Sequence, residues 1–508
     1  MTNKHHTNQI NNLVIFSICL VISLLFFFLF SYNSPLYYFN NDVDYQWYMT
    51  VGHGLVQGKI PYRDIFEHKG PIVYFISGFC CLFPNPAIVM LLIESMLTSL
   101  FFFFSYQICR KYLNTFYSIA AIPILAFTVF SSWTRFGHGA IVEEYCLPLL
   151  TYFLLRWLEF ILEEKDWDWK TSLFIGISIS ICFWTKLTII AFFIGPMLIW
   201  LVLSLLKKKY LKIFESLLLM MTGLIIVTVP IIYFYGLNHA LDDLWFAYFI
   251  FNTTAYPSSS LKEFFSYLKG FINIGPALSF FVLYGVIKFT IRHWKNDNGQ
   301  LLTSFLVSLF IATWTCKGNF YYNDILIPYA ILGIIEFIIF ASSYIKLPFK
   351  NNSFFLVLFS IFCIAITIPF TSLPHERNNS RNDYATIVIS DIITKHKDNN
   401  HPETTLFYYK IADVGIHNLT NILPNNYYFA MNYITEEQFP ELYQAIKTYI
   451  TNQTSDFIIT DLSIWESEYY FLSQYYSPYT GDVETCTYKY DDGLSGYDLV
   501  LLFKKPID

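Results

Sequence analysis

Long apolar runs, recurring from near the N-terminus to about residue 370, constrain this chain more than any other feature. The first is Leu13–Phe30. Others follow at Pro86–Ile108, Phe116–Phe130, Tyr145–Leu162, Ser172–Thr185, Leu187–Leu206, Phe214–Phe234, Pro276–Thr290, Leu301–Thr315, Ile325–Tyr344 and Phe354–Phe370. Roughly 20 apolar residues in a helix cross a bilayer, where backbone N–H and C=O groups find no water and must satisfy one another. The runs predict a polytopic α-helical membrane protein with about eleven transmembrane helices, the shortest readable as half-helices. Composition agrees: 55% of the 508 residues are hydrophobic and 14% charged, too little charge to solvate a globule of this length. A net charge of -6 excludes the broad basic face that nucleic acid requires. The nine cysteines lie almost entirely in apolar runs, with Cys486 the one in the polar C-terminal region. They form neither a disulfide framework nor a spaced zinc-ligand set. Leu13–Phe30 also resembles a signal-peptide core, but it is long and no small-residue cleavage site follows, which favours an uncleaved span.

One topology explains every basic cluster through the positive-inside rule. With a cytoplasmic N-terminus, Arg110-Lys111, Glu163–Lys170, Lys207-Lys208-Lys209, Arg292–Lys295 and Lys346–Lys350 fall inside. Outside then lie an acid-opened first loop, Asn40–Tyr74, within residues 32–85; the segment Ser131–Glu144; the turn at Lys186; the long loop Gly236–Gly275; the turn Lys317–Asp324; and everything after Thr371. The charges that are unusual for a membrane protein gather on one face, so the outer boundary is the expected place of the chemistry. Residues 1–371 read as the transmembrane domain and 372–508 as a small extracytoplasmic α/β domain, with β-like segments at Thr386–Ile393, Thr404–Tyr409, Phe457–Thr460 and Tyr497–Phe503.

The first loop carries the densest chemistry. Asp42 and Asp44 open it, and an amphipathic segment Tyr45–Val56 follows, ended by a Gly58-Lys59-Ile60-Pro61-Tyr62 turn. Solvated acids at a membrane exit are the plain reading of both aspartates. Asp44 stands out because it opens the helix, where an N-cap oxygen would be held, and a fixed carboxylate at a wet surface suits a general base. Glu67-His68-Lys69 then precede Gly70-Pro71 and a new apolar segment. An ammonium at that depth can neutralise a phosphate, and His68 with Glu67 offers donors for a divalent metal; the competing reading is a snorkelling Lys69 with its counter-ion. Lys186 sits between apolar runs with no acid near it in sequence, so it either snorkels or meets an anion from elsewhere. Arg135, His138, Glu143 and Glu144 form another outer cluster, suited to a sugar hydroxyl or a metal, or simply to a helix start. Lys317, Tyr321 and Tyr322 combine a cation with aromatic faces, as sugar stacking or an interfacial aromatic belt would.

The spacing Asp44, then Gly58-Lys59-x-Pro61-Tyr62-Arg63-Asp64-x-Phe66-Glu67-His68-Lys69-Gly70-Pro71, after a first span, resembles the GT-C membrane glycosyltransferases. It looks most like their bacterial branch, related to protein O-mannosyltransferases and aminoarabinose transferases. Glu143-Glu144-Tyr145, the Trp-Thr-Lys186 context and a soluble C-terminal domain extend the likeness. The resemblance implies a transferase using a polyisoprenyl-phosphate sugar, with Asp44 as the catalytic acid residue of the family and Lys69 and Lys186 at the lipid phosphate. It departs at one position: relatives often carry Glu immediately before the motif Lys, where this chain has His68.

On that reading Asp44 takes a proton from an acceptor hydroxyl on a glycan, lipid or protein, and the acceptor displaces phosphate with inversion. No nucleotide fold is needed, and no P-loop or dinucleotide fingerprint is present. A lipid-linked polysaccharide polymerase or ligase is the alternative, but it would centre on later outer loops rich in arginine. A transporter would need polar helix centres and matched halves. The lipid bilayer, taken as a bacterial plasma membrane, and the lipid-linked sugar are the expected partners.

Overall fold

The computed structural model describes every residue except 1, 133–135, 140, 256–259, 274, 316–319, 345–352, 372–379, 400, 431–434, 492–495 and 507–508. The apolar runs are helical throughout. Among the described residues, six helices are long and apolar enough to cross a membrane: Asn12–Phe30, Pro86–Arg110, Glu144–Glu163, Leu187–Leu206, Tyr210–Leu237 and Tyr322–Tyr344. Leu261–Ile272 and Pro276–Arg292, bent by 102°, make a seventh if taken as one span. Thr115–Phe130, Gln300–Thr315 and Phe354–Phe370 are apolar but shorter. A 16-residue helix such as Thr115–Phe130 is about 24 Å long, against a hydrocarbon core of about 30 Å. The chain is a multi-pass membrane protein.

Two compact units make up the chain: residues Met1–Leu36, Met90–Ile231 and Ser258–Pro374 form one, and Tyr37–Val89, Ile232–Pro257 and His375–Asp508 the other. In the first, helices approach at glycines, as expected where lipid leaves no hydrophobic force between them and close packing must hold them. A Cβ on Gly333 would stand 2.1 Å from the Phe281 carbonyl, and one on Gly176 would stand 2.1 Å from the Met220 carbonyl. Arg292 adds a two-pronged ion pair to Glu336, with both N–O distances 2.6 Å, joining helices Pro276–Arg292 and Ala330–Tyr344. Asn114 and Asp168 cap the helices that follow them by accepting the N–H of Tyr117 and Thr171.

The stretch expected as the long loop Gly236–Gly275 is largely helical, with turns over Leu241–Thr254 and a helix Leu261–Asn273. Leu261, Phe264, Phe265, Leu268 and Ile272 recur at helical spacing, and Phe264 packs on Phe310, with ring centroids 5.4 Å apart. Reading this segment as loop overlooked that period.

In the second unit, helix Val43–Val56 packs on helix Pro71–Cys81 with Gly52 against the Ser77–Gly78 backbone, where a Cβ would sit 2.6 Å from the Gly78 nitrogen. The described residues of 375–508 carry five strands: β1 (Leu406–Tyr408), β2 (Phe457–Asp461), β3 (Tyr476–Pro478), β4 (Thr487–Asp491) and β5 (Gly496–Lys504). β1 and β2 are parallel, with Leu406 opposite Phe457, and helix Pro440–Thr451 stands between them in sequence, as a parallel pair requires. β5 runs antiparallel to β2 and along its length takes β4 at Gly496–Val500 and β3 at Leu502–Lys504. Thr386–Ile393, expected as β-like from its β-branched residues, instead lies in helix Ala385–Asp398. Thr386, Ile389, Ser390 and Ile393 form its buried face at helical spacing, so burial on that face outweighs β-propensity.

Candidate active site

Helix Val43–Val56 starts two residues earlier than expected, and the residue that caps it is Asp42 rather than Asp44. Buried Asp42 accepts the backbone N–H of Asp44 at 3.0 Å and of Tyr45 at 3.4 Å. One of its carboxylate oxygens, Oδ1, is thereby committed to the backbone. Asp44 stands in the first turn, half-buried, where the helix dipole favours a negative charge. Gly58, at φ +85°, lets the chain reverse after the helix, and Tyr62, also at positive φ, returns its N–H to the Ile65 carbonyl at 2.9 Å.

Around Lys69 the loop is fastened from three sides. Glu67, 2% exposed, accepts the Lys69 backbone N–H at 2.9 Å and the Tyr74 hydroxyl through the same oxygen. Tyr62 donates its hydroxyl to the Lys69 carbonyl at 2.6 Å. The half-buried Lys69 ammonium lies 5.9 Å from the centre of the Tyr48 ring, on its cation-attracting face. His68 is buried with Nδ1 3.0 Å from Asn252 Oδ1. The Asn252 amide already donates to the carbonyls of His68 and Tyr248, so its oxygen faces the ring and Nδ1 carries the proton. Nε2 is 3.5 Å from Glu67 Oε1. Burial drives the Tyr62 hydroxyl well above its ordinary pKa, so it remains a donor.

The other predicted residues belong to the first unit. Lys186, buried, is met by Glu143 at 2.6 Å and lies 3.4 Å over the Tyr322 ring, so the anion it meets comes from the chain itself. Glu144 accepts the Gly137 N–H with both oxygens, at 2.9 and 3.0 Å. Glu94, Glu143 and Asp324 are within electrostatic reach of Glu144. His138 stacks on Tyr32 with ring centres 3.9 Å apart. Arg135 and Lys317 lie outside the described residues, as does the side chain of Tyr321. Among the described residues, no three His, Cys, Asp or Glu side chains are arranged to hold a metal ion.

Residues 68–234, about a third of the chain, match the dolichyl-phosphate-mannose-protein mannosyltransferase family PMT_2. The match takes in His68, Lys69, Glu143, Glu144 and Lys186 and begins beyond Asp44. No curated protein sequence matches. In fold, the chain superposes on ArnT from Cupriavidus metallidurans bound to undecaprenyl phosphate with a TM-score of 0.60, at 13% identity over 96% of this chain and 97% of that one. The apo form of ArnT gives 0.60 at 12% identity, with 98% of each chain covered. Archaeal oligosaccharyltransferase AglB from Archaeoglobus fulgidus, in complex with an inhibitory peptide and a dolichol-phosphate, gives 0.52 at 13% identity, over 94% of this chain and 74% of its own. The chain shares the fold of these membrane proteins.

Several buried polar groups of the chain escaped the sequence reading. Asn252, which orients His68, lies 184 residues away from it, and no local pattern links the two. Asp413, fully buried, accepts the Thr50 hydroxyl at 2.6 Å and the Gly415 N–H at 2.8 Å, tying residues 375–508 to the helix that carries Asp44. Glu94 was the most legible omission: an acid inside the apolar run Pro86–Ile108 is costly unless it faces protein, and it is 2% exposed with Asn33 donating to it at 3.3 Å. Asp324 and Asn323 are likewise buried.

Proposed function

We propose that the chain is a GT-C-type membrane glycosyltransferase that moves a sugar from a polyisoprenyl-phosphate donor to a hydroxyl on a glycan, lipid or protein, at the outer face of the plasma membrane and with inversion. The observation that carries this reading is the fastening of the loop at Lys69. Glu67, Tyr74 and Tyr62 grip its backbone, so a half-buried ammonium is held in place to meet the phosphate. ArnT and AglB, which share the fold, were solved with undecaprenyl phosphate and dolichol-phosphate respectively. The phosphate contact is assigned to Lys69, and Lys186 is ion-paired with Glu143 at 2.6 Å.

In the reaction, the acceptor oxygen attacks sugar C1 from the face opposite the phosphate and its proton passes to Asp44. The C1–O bond breaks, and polyprenyl phosphate leaves with the electron pair, its charge stabilised by Lys69. Residues 1–371 form the transferase domain and 372–508 the extracytoplasmic domain, with the N-terminus in the cytoplasm. That orientation places the basic loops inside.

The test is transfer of radiolabelled sugar from native membrane lipids in membranes carrying wild type, Asp44→Asn or Lys69→Met at matched expression. Asp44→Asn keeps the shape and removes the base, and transfer should fall by about 10²–10⁴ while labelled donor lipid accumulates. Normal transfer by that variant refutes the assignment.

A further inference from the structure

We propose that a cavity at the Arg110 end of the helical bundle binds the headgroup of an anionic phospholipid, a second lipid site separate from glycosyl transfer. The cavity measures about 520 Å³ and lies wholly within the first unit. That is within the about 300–1,000 Å³ typical of pockets for small ligands. Arg110, Lys111, Arg156 and Glu159 supply its charge, and Val14, Ile15 and Leu155 its apolar side. Helix Pro86–Arg110 ends at this point and helix Thr115–Phe130 begins, with Thr115 also on the wall. The cavity therefore sits where apolar spans give way to polar chain, the level at which headgroup phosphates lie.

Its charge balance favours an anion. Glu159, the one carboxylate on the wall, is held by Lys111 at 2.7 Å and by Arg156 at 2.6 Å, and Lys111 reaches Glu163 as well. Arg110 donates to the Leu113 carbonyl at 2.8 Å, and no carboxylate stands within ion-pair distance of it among the described residues. Arg156, its side chain 30% exposed, spends only Nη1 on a hydrogen bond, to Glu159, among them. Two guanidinium groups thus keep donors for a phosphate, which their planar forks suit better than an ammonium does. Beside them Leu13 and Val14 are 69% and 53% exposed, an apolar flank along which acyl chains can lie. That flank and the size of the cavity favour a phospholipid over free phosphate. Basic pockets between spans are drawn to anionic lipid at the side the positive-inside rule assigns to these arginines.

The experiment is native mass spectrometry of the full chain in detergent, titrated with phosphatidylglycerol, phosphatidylcholine or inorganic phosphate. Wild type should retain phosphatidylglycerol about tenfold better than phosphatidylcholine, and Arg110→Gln combined with Arg156→Gln should abolish the preference. Arg110→Lys should keep most of it, and the thermal midpoint of each variant in phosphatidylcholine establishes that it folds. Equal retention of the two lipids, or an unchanged preference in the folded double variant, overturns the proposal. Displacement of phosphatidylglycerol by millimolar inorganic phosphate, or by polyprenyl phosphate at equal concentration, overturns it in favour of those ligands.

Discussion

Asp413→Ala is expected to loosen the helix that carries Asp44. In the native chain Asp413 is fully buried, and its two oxygens separately take the Thr50 hydroxyl and the Gly415 N–H. Truncation leaves both donors buried without an acceptor. Each orphaned group costs about 1–3 kcal/mol, so the loss should total about 2–6 kcal/mol. Thr50→Val removes only one bond and should cost about 1–2 kcal/mol. Around this contact Asn418 donates to the Gln46 carbonyl at 3.0 Å, and Gly415, at φ +97°, packs so closely that a Cβ would meet Phe39 at 2.5 Å. The helix is therefore held at several points, and its start and the Asp44 carboxylate should shift rather than unfold when Asp413 is lost. Pulse proteolysis across a urea series, in detergent, reads the stability, and the double variant closes the cycle. A coupling of about 1–2 kcal/mol between the two sites is expected, with kcat for sugar transfer falling and KM nearly unchanged. Additivity within about 0.5 kcal/mol, with unaltered kcat, refutes the reasoning.

The remaining predictions concern other buried groups. Burial pushes the His417 imidazole below its ordinary pKa, outweighing the pull of Asp413 in the other direction, so the folded chain holds it neutral with Nδ1–H on the Ile422 carbonyl at 2.7 Å. The unfolded chain takes up a proton below about pH 6.5 that the fold refuses, so stability should fall as pH drops below that value. His417→Gln should flatten this slope in unfolding measured between pH 5 and pH 7, the window about the unfolded pKa of roughly 6.5. Lys186→Met should destabilise by about 3–5 kcal/mol by stranding Glu143, and adding Glu143→Leu should recover most of that in thermal unfolding. Gly52→Val would press into the Ser77–Gly78 backbone and should cost about 1–3 kcal/mol, seen as faster proteolysis of the first loop.

Local rules account for what the sequence by itself determined. Membrane class and the positions of the long apolar helices follow from run length, because backbone satisfaction in lipid depends only on neighbouring residues. The first loop announced itself because Asp42, Asp44, Glu67, His68 and Lys69 interrupt apolar chain where charge is costly. Even there the local pattern did not settle which aspartate caps the helix, since either oxygen lies within reach of the first turn and only the backbone path selects Asp42. Tertiary structure alone decided the partners. Lys186 meets Glu143 from 43 residues earlier, His68 meets Asn252 from 184 residues later, and Thr50 meets Asp413 from 363 residues later. Periodicity and capping act over a few residues, whereas which buried charge faces which hydroxyl depends on how distant helices pack, and no local pattern encodes that.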